Sequence, residues 1–131
     1  MVNRVVWVVQ WVLALVFVGG GAWKLAAPLD QVAAAFAWAG EMPALLRTTA
    51  VLDILGGLGI LLPSLTRIAP RVTVLAALGC VALQLGAIVF HVGRGEGADT
   101  VVNVVLVVLA ASVAWGRYAT APIASRRTVR A

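Results

Sequence analysis

A chain of 131 residues is long enough for one domain, but with 63% hydrophobic and 11% charged residues it cannot form an ordinary water-soluble fold. Soluble domains hold roughly 45–50% apolar and about 25% charged residues, so this composition indicates a membrane protein. The formal net charge of +5 does not indicate a nucleic-acid partner, because the basic residues lie at the ends of apolar segments rather than along one polar face.

Four apolar stretches follow one another along the chain and predict four membrane-spanning helices. They cover residues 5–23, 44–62, 72–90 and 101–115. The first three hold about twenty residues each, which at about 1.5 Å per residue matches the hydrocarbon core of a bilayer. We therefore predict an all-α, four-transmembrane-helix bundle over residues 1–119, followed by a basic cytoplasmic tail over residues 120–131. The first stretch is longer than the core of a signal peptide, so we expect it to be retained.

The first predicted helix and the loop after it are both patterned. Polar and small residues recur every three or four positions on one stripe, which consists of Gln10, Ala14, Phe17, Gly21 and Lys24. The opposite face is bulky and aliphatic, as expected where a helix meets lipid. In the outer loop that follows, Pro28 can begin a helix and Gly40 can end one. This segment is too short to span, and we predict one short interfacial helix over the outer end of the bundle.

The other three predicted helices carry similar stripes. Their members are Asp53, Gly56, Gly57 and Ile60 in the second, Ala77, Cys80, Gln84, Ala87 and His91 in the third, and Asn103, Val107, Ala110, Ala114 and Arg117 in the fourth. Small residues allow helix backbones to approach closely in lipid. The glycines that we interpret as packing positions are Gly21, Gly56, Gly57 and Gly86. Gln10 and Asn103 are candidates for hydrogen bonds between helices.

Asp53 differs from the other polar residues because it is an acidic group well inside the hydrocarbon. An ionised aspartate at that depth costs about 2.5–3.5 kcal/mol, so it should be protonated, paired, or close to water or a ligand. Lys24, at the outer end of the first helix, is the partner that we expect. His91 ends the third helix, either as an ordinary polar residue or as a group for proton transfer or head-group binding. The candidate ligand-binding residues are Lys24, Asp53, Gln84 and His91.

The scarcity of cysteine and histidine excludes several chemistries. Cys80 is the single cysteine, so the chain has no intramolecular disulfide, no C-x-x-C pair and no cysteine-rich zinc or iron–sulfur site. The single histidine cannot supply both axial ligands of a haem. We therefore predict no metal site, and the sequence assigns no catalytic residues.

Basic residues are divided unequally between the two sides of the predicted bundle. Seven fall on one side, Arg4, Arg67, Arg71, Arg117, Arg126, Arg127 and Arg130, and three on the other, Lys24, Arg47 and Arg94. By the positive-inside rule, we expect both termini in the cytoplasm and the first and third loops outside.

Four short motifs follow one another along most of the chain. They are Phe17-x3-Gly21-x2-Lys24-Leu25, Gly40-x2-Pro43, LDILGGLGILLP from Leu52 to Pro63, and GAIVFHVGRGE from Gly86 to Glu96. In this order and spacing the chain resembles the DoxX-like family of small four-helix membrane proteins, as far as about Arg117. The resemblance implies a membrane-embedded redox association, since the family is named after a membrane subunit of a thiosulfate:quinone oxidoreductase. It points to Lys24, Asp53 and His91, although the acidic position is often glutamate in the family.

These observations lead to one main hypothesis and two alternatives. The main hypothesis is a bacterial inner-membrane subunit of a redox complex, in which Lys24, Asp53 and His91 hold a quinone or another small redox-active molecule. Gln84 would line the pocket, and electrons would come from a separate redox protein. The first alternative is a non-catalytic scaffold or assembly factor whose basic tail binds anionic lipid or a cytoplasmic partner. The second is proton-coupled transport of a small solute through Asp53, which would require a homo-oligomer.

Overall fold

The computed structural model describes residues 1–129, which form helices and no strand. The α-helices are, in chain order, α1 (Val2–Ala26), α2 (Leu29–Ala35), α3 (Ala37–Glu41), α4 (Pro43–Thr66), α5 (Arg71–Gly93), α6 (Thr100–Trp115) and α7 (Arg126–Val129). A 3-10 turn, Gly97–Asp99, leads into α6, and a π-helical turn, Gly116–Thr120, continues it. The predicted all-α fold is confirmed. Arg130 and Ala131 of the predicted tail lie outside the described residues.

Four helices are long and apolar enough to cross a membrane. They are α1, α4, α5 and the continuous helix Gly97–Thr120 that contains α6. Their outward faces are aliphatic, and Val8, Leu15, Leu75 and Val89 are each more than 60% exposed. In water such a surface would cause aggregation, whereas acyl chains solvate it in lipid.

The four long helices run antiparallel, each beside the next, and α6 returns to α1. Gln10 contacts Ile60 near the start of α1, whereas Gly21 contacts Ala50 near its end, which fixes the direction of α4. The shared core consists of Leu13, Phe17, Ile60, Ala77, Cys80, Ala110, Val113 and Ala114. We call the end of the bundle that contains the start of α1 and residues 116–129 the terminal end. The opposite end, which contains α2 and α3, is the cap end.

Glycines set the distances between neighbouring helices. A Cβ added to Gly21 would lie 2.6 Å from the carbonyl oxygen of Ala50, and a Cβ added to Gly57 would lie 2.9 Å from the nearest side chain of α1. On the other side of α4, a Cβ added to Gly56 would lie 2.6 Å from Sγ of Cys80. These separations are too short for any larger residue, so the glycines allow α1 and α5 to approach α4 closely at these positions.

Gly86 differs from the other three glycines that were predicted to pack between helices. It is exposed, and a Cβ added there would meet no heavy atom within 4 Å. The packing role predicted for Gly86 is therefore wrong within this chain. The reason is geometric, because Gly86 follows the buried Gln84 by two residues, or about 200° around the helix, and so faces away from the bundle.

Two helix boundaries also differ from the sequence prediction. The single interfacial helix expected between Pro28 and Gly40 is two helices, α2 and α3, because Phe36 adopts an extended conformation with φ −134° and ψ 95°. The second spanning helix passes through Pro63 and ends at Thr66. Arg67, with φ 57°, then turns the chain in the left-handed region.

The short helices α2 and α3 form a cap with a small core of its own. Val32, Trp38 and Ala39 are buried against Leu46 at the start of α4. Ala27 and Phe90 pack at the edge of this core. The cap therefore connects the end of α1 to the end of α5, where the candidate site residues lie.

We predict that Gly21→Ala lowers the melting temperature of the detergent-solubilised protein. The added methyl group would force α1 away from the backbone of α4, and overpacking of this kind costs about 1–3 kcal/mol. Gly19→Ala is the matched control, because a Cβ at Gly19 meets nothing within 4 Å and alanine favours the same helix. Equal melting temperatures for the two variants would contradict the close approach of α1 and α4.

Candidate functional site

The predicted pair between Lys24 and Asp53 is present. Nζ of Lys24, in the last turn of α1, lies 2.9 Å from Oδ2 of Asp53 in α4, and the two side chains are 20% and 9% exposed. Lys24 Nζ also lies 6.0 Å from the centroid of the Phe36 ring, between the two cap helices. The opposite charges compensate each other in a region where a single unpaired charge would be costly.

Gln84 takes part in a different interaction. Asn103 Nδ2 in α6 donates a hydrogen bond of 2.7 Å to Oε1 of Gln84 in α5. Gln84 is 6% exposed, so this bond satisfies a buried amide and joins two neighbouring helices. Among residues 1–129, no hydrogen bond connects Gln84 to Lys24 or Asp53.

His91 belongs to a third group, an ion-pair network at the cap end. Its Nδ1 lies 2.8 Å from Oε2 of Glu96, and Nε of Arg94 donates to Oε1 of the same glutamate at 2.9 Å. Arg94 also pairs with Glu41 at the end of α3, at 3.0 Å. The network therefore fastens the cap to the end of α5. Hydrogen bonds from His91 and then Arg94 lower the pKa of Glu96, and hydrogen bonds to Glu96 and Glu41 raise the pKa of Arg94.

Trp38 is a residue that sequence reasoning missed. It is 9% exposed, and its indole Nε1 is buried without a hydrogen-bond partner among residues 1–129. Its ring contacts the ring of Phe90 edge-on, with centroids 5.6 Å apart, and Phe90 contacts the imidazole of His91 at 5.5 Å. A buried donor without an acceptor costs about 1–3 kcal/mol, which marks this position as one where an acceptor is missing. Nothing in the local sequence distinguishes Trp38 from an ordinary interfacial tryptophan.

The four predicted ligand-binding residues thus occupy three separate hydrogen-bonded groups in the cap half of the bundle. Lys24 with Asp53 lies between α1 and α4, Gln84 lies between α5 and α6, and His91 lies at the end of α5. The cap core packs against both Ala27 and Phe90. It therefore connects the Lys24–Asp53 pair to the group that contains His91.

Three residues near the cap end could in principle ligate a cation. His91, Glu96 and Asp99 place one ligand atom each within 4.8 Å of one another. Both carboxylate oxygens of Glu96 are already bonded, one to His91 and one to Arg94. A metal ion there would compete with His91 and with the Arg94 guanidinium for the Glu96 carboxylate.

A second polar cluster lies at the terminal end, around Gln10. The Nε2 of Gln10 donates to the carbonyl oxygen of Ile60 at 2.7 Å and to Oγ of Ser64 at 3.1 Å, and Ser64 bonds to Thr73 at 2.8 Å. Gln10 therefore joins α1 to α4 as predicted. Its Oε1 accepts from Nε of Arg117 at 2.6 Å. Arg117 is one of the basic residues that indicate the topology and also the last member of the inward stripe of the fourth predicted helix, and the fold buries it.

We predict that acid weakens the attachment of the cap through Glu96. The folded protein holds the pKa of Glu96 below its usual value of 4.5, so the network stabilises the fold at neutral pH. This stabilisation is lost as the pH falls below that usual value and through the lowered pKa. Glu96→Gln should lower the melting temperature at pH 7 and reduce its further loss on acidification, measured by tryptophan fluorescence. Asp30→Asn, at an exposed position of the cap, is the control. Parallel acid profiles for wild type and Glu96→Gln would contradict the role of this network.

Comparison with protein-family models matches residues 8–113 to the DoxX-like family. Comparisons with curated proteins and with solved structures find no match. The matched range contains Lys24, Asp53, Gln84 and His91, and it covers most of the bundle and the whole cap. On this match and on its four helices of membrane-spanning length, the chain is a multi-pass membrane protein that belongs to the DoxX-like family.

Proposed function

We propose that this protein is a subunit of a membrane redox complex and binds a quinone-like molecule at the cap end. The observation that carries the proposal is the unpartnered indole N–H of Trp38, buried in an aromatic environment beside Phe90 and His91. A quinone offers what this environment lacks, since it combines a flat apolar ring with carbonyl oxygens that accept hydrogen bonds. Apolar pockets with a few polar groups are typical of small-molecule sites.

Each polar group near the cap has a distinct part in this proposal. Trp38 donates a hydrogen bond to a carbonyl oxygen of the ligand. Nδ1 of His91 donates to the Glu96 carboxylate, so Nε2 of the neutral imidazole accepts a hydrogen bond from a hydroxyl group of the reduced ligand. The Lys24–Asp53 pair supplies an exchangeable proton inside the membrane, which reduction of a quinone requires for each electron. Gln84 lines the α5–α6 side. The electrons come from a separate redox protein, as the chain has a single cysteine and a single histidine.

We place the protein in a bacterial inner membrane with both termini in the cytoplasm. The terminal end carries Arg4, Arg67, Arg71, Arg117, Arg126 and Arg127, whereas the cap end carries fewer cations and most of the acidic residues. This distribution supports the orientation through the positive-inside rule. The cap and its ligand would then lie at the outer surface, where a partner protein outside the cytoplasm could deliver electrons.

The second candidate function is that of a scaffold or assembly factor. The Gln84–Asn103 bond and the Gln10–Ser64 bond favour it, because both satisfy polar groups within the bundle and leave them no chemical task. Proton-coupled transport is the third candidate. It needs Asp53 to exchange its bond to Lys24 for a proton, and it needs a homo-oligomer to provide a path.

We predict that the purified protein in neutral detergent binds a short-chain ubiquinone analogue, and that Trp38→Phe weakens this binding about fivefold. The substitution removes one hydrogen-bond donor and keeps an aromatic ring against Phe90, and one hydrogen bond contributes about 1 kcal/mol. Asp53→Asn should weaken binding as well, with the melting temperature confirming that the variant is folded. Equilibrium dialysis is the measurement, since it does not depend on tryptophan fluorescence.

Trp115→Phe and Asp30→Asn are the matched controls for these two variants. Trp115 is 64% exposed in the other half of the bundle, and Asp30 is an exposed acid on the cap. Both controls should bind the analogue like the wild type. If no protein in the series binds it, or if Trp38→Phe and Trp115→Phe bind equally, the quinone proposal fails and the scaffold becomes the better candidate.

We predict that alkaline phosphatase fused to the carboxyl terminus is inactive in bacterial cells, whereas the same enzyme inserted after Gly95 is active. The enzyme acquires its activity outside the cytoplasm, and Gly95 lies in the turn between α5 and α6 at the cap end. A fluorescent protein that matures in the cytoplasm should give the reverse pattern at the same two positions. Phosphatase activity at the carboxyl terminus would contradict the proposed orientation.

A further inference from the structure

The connection between α5 and α6 brings three metal-ligating side chains together at the cap end. They are His91, Glu96 and Asp99, and one ligand atom of each lies within 4.8 Å of the other two. A zinc ion binds nitrogen and oxygen ligands at about 2.0–2.2 Å, so the ligand atoms of a tetrahedral site lie about 3.3–3.5 Å apart. The side chain of Asp99 is exposed, and its rotation can supply the remaining adjustment of at most about 1.5 Å.

The backbone of the connection explains why side chains with this spacing meet. The N–H of Glu96 donates to the carbonyl oxygen of His91 at 2.9 Å, and the N–H of Gly95 donates to that of Val92 at 3.0 Å. Gly95, with φ 75°, lies in the left-handed region that this type of helix end uses. The chain therefore turns back at the end of α5. In the 3-10 turn that follows, the N–H of Asp99 donates to the carbonyl oxygen of Glu96 at 3.1 Å.

Negative charge is in excess around these side chains. Arg94 pairs with Glu96 at 2.9 Å and with Glu41 at 3.0 Å. Asp99 has no ion pair and no side-chain hydrogen bond within residues 1–129. The three carboxylates and one guanidinium therefore give this group a formal charge of −2 while the imidazole of His91 is neutral. A divalent cation would balance that charge.

The competition between a cation and Arg94 is limited, because Glu96 has two oxygens. Nε of Arg94 donates to Oε1, whereas Nδ1 of His91 lies 2.8 Å from Oε2. A cation between His91 and Glu96 replaces the hydrogen bond at Oε2 and leaves Oε1 to Arg94. Ligand carboxylates in metal sites are commonly held by such hydrogen bonds. The pair with Glu41 also offsets part of the charge of Arg94.

We propose that His91, Glu96 and Asp99 form a binding site for a zinc ion. An imidazole nitrogen with carboxylate oxygens suits zinc, whereas magnesium and calcium prefer oxygen ligands alone. The scarcity of cysteine and histidine predicts no metal site, but the fold combines one imidazole with two carboxylates. Zinc on Nδ1 moves the imidazole proton to Nε2, which then donates a hydrogen bond instead of accepting one. The ion also ties the end of α5 to the start of α6.

The test measures zinc binding by the purified full chain, free of any histidine tag, in neutral detergent after treatment with a chelator. Isothermal titration calorimetry reports the stoichiometry and affinity, and the melting temperature reports stabilisation by the bound ion. Zinc should bind one to one and raise the melting temperature, whereas magnesium at the same concentration should do neither. Absence of zinc binding, or equal stabilisation by the two ions, would overturn the proposal. No quinone is present, so the outcome is independent of the proposed redox function.

Two variants and a control locate the binding at this group. Asp99→Asn changes an exposed residue and keeps a side chain favoured before the first turn of α6, so the metal-free variant should melt like the wild type. Its zinc affinity should fall at least about tenfold, because loss of even an outer partner of a metal ligand costs about that much. His91→Gln should weaken zinc binding similarly, with the melting temperature of the metal-free variant confirming that it is folded.

Asp30→Asn is the matched control, since it removes an exposed acid of the cap that is not part of the group. It should bind zinc like the wild type. Equal zinc affinities for Asp99→Asn and Asp30→Asn would show that zinc binds elsewhere and would overturn the assignment of these ligands.

Discussion

The ion pair between Lys24 and Asp53 depends on the close approach of α1 and α4 at Gly21. A Cβ added to Gly21 would lie 3.3 Å from the Cβ of Asp53 as well as against the backbone of Ala50. The absence of that methyl group lets α4 come near enough for the carboxylate of Asp53 to reach Lys24, one turn farther along α1. In lipid each charge alone would be costly, so the glycine and the pair belong to one arrangement.

The cost of an unpaired polar group in lipid also organises the other polar side chains of the bundle. Hydrocarbon offers no hydrogen bonds, so side chains inside the spans must find partners on neighbouring helices. Gln84 does so with Asn103, and Gln10 does so with Ile60 and Ser64. Each bond crosses from one helix to the next, and together with the bond between Ser64 of α4 and Thr73 of α5 they hold the four spans in register. Apolar packing among similar side chains could not specify that register as narrowly.

Two buried side-chain atoms differ from these groups, because they have no hydrogen-bond partner within residues 1–129. Nε1 of Trp38 lies at the cap end, and Nη2 of Arg117 lies at the terminal end. Both are donors, and each is next to an aromatic ring, that of Phe90 or that of Trp7. The fold therefore presents one unsatisfied donor near each membrane surface. Their surroundings differ, because an acidic and basic network adjoins Trp38 whereas basic and neutral residues surround Arg117.

Hydropathy and helical periodicity predict the four spans, their inward stripes and the pairing of Lys24 with Asp53, because they distinguish residues that can face lipid from those that cannot. The break of the cap at Phe36 and the burial of Trp38 follow from packing between segments of the folded chain, whereas the outward position of Gly86 follows from its helical spacing to Gln84. Periodicity placed Arg117 on the inward stripe of the fourth helix, but its contacts with Gln10, Asn3 and Trp7 depend on how the ends of distant helices pack. Local sequence sets the direction of a side chain around its own helix, but what it meets there depends on how distant segments pack against it.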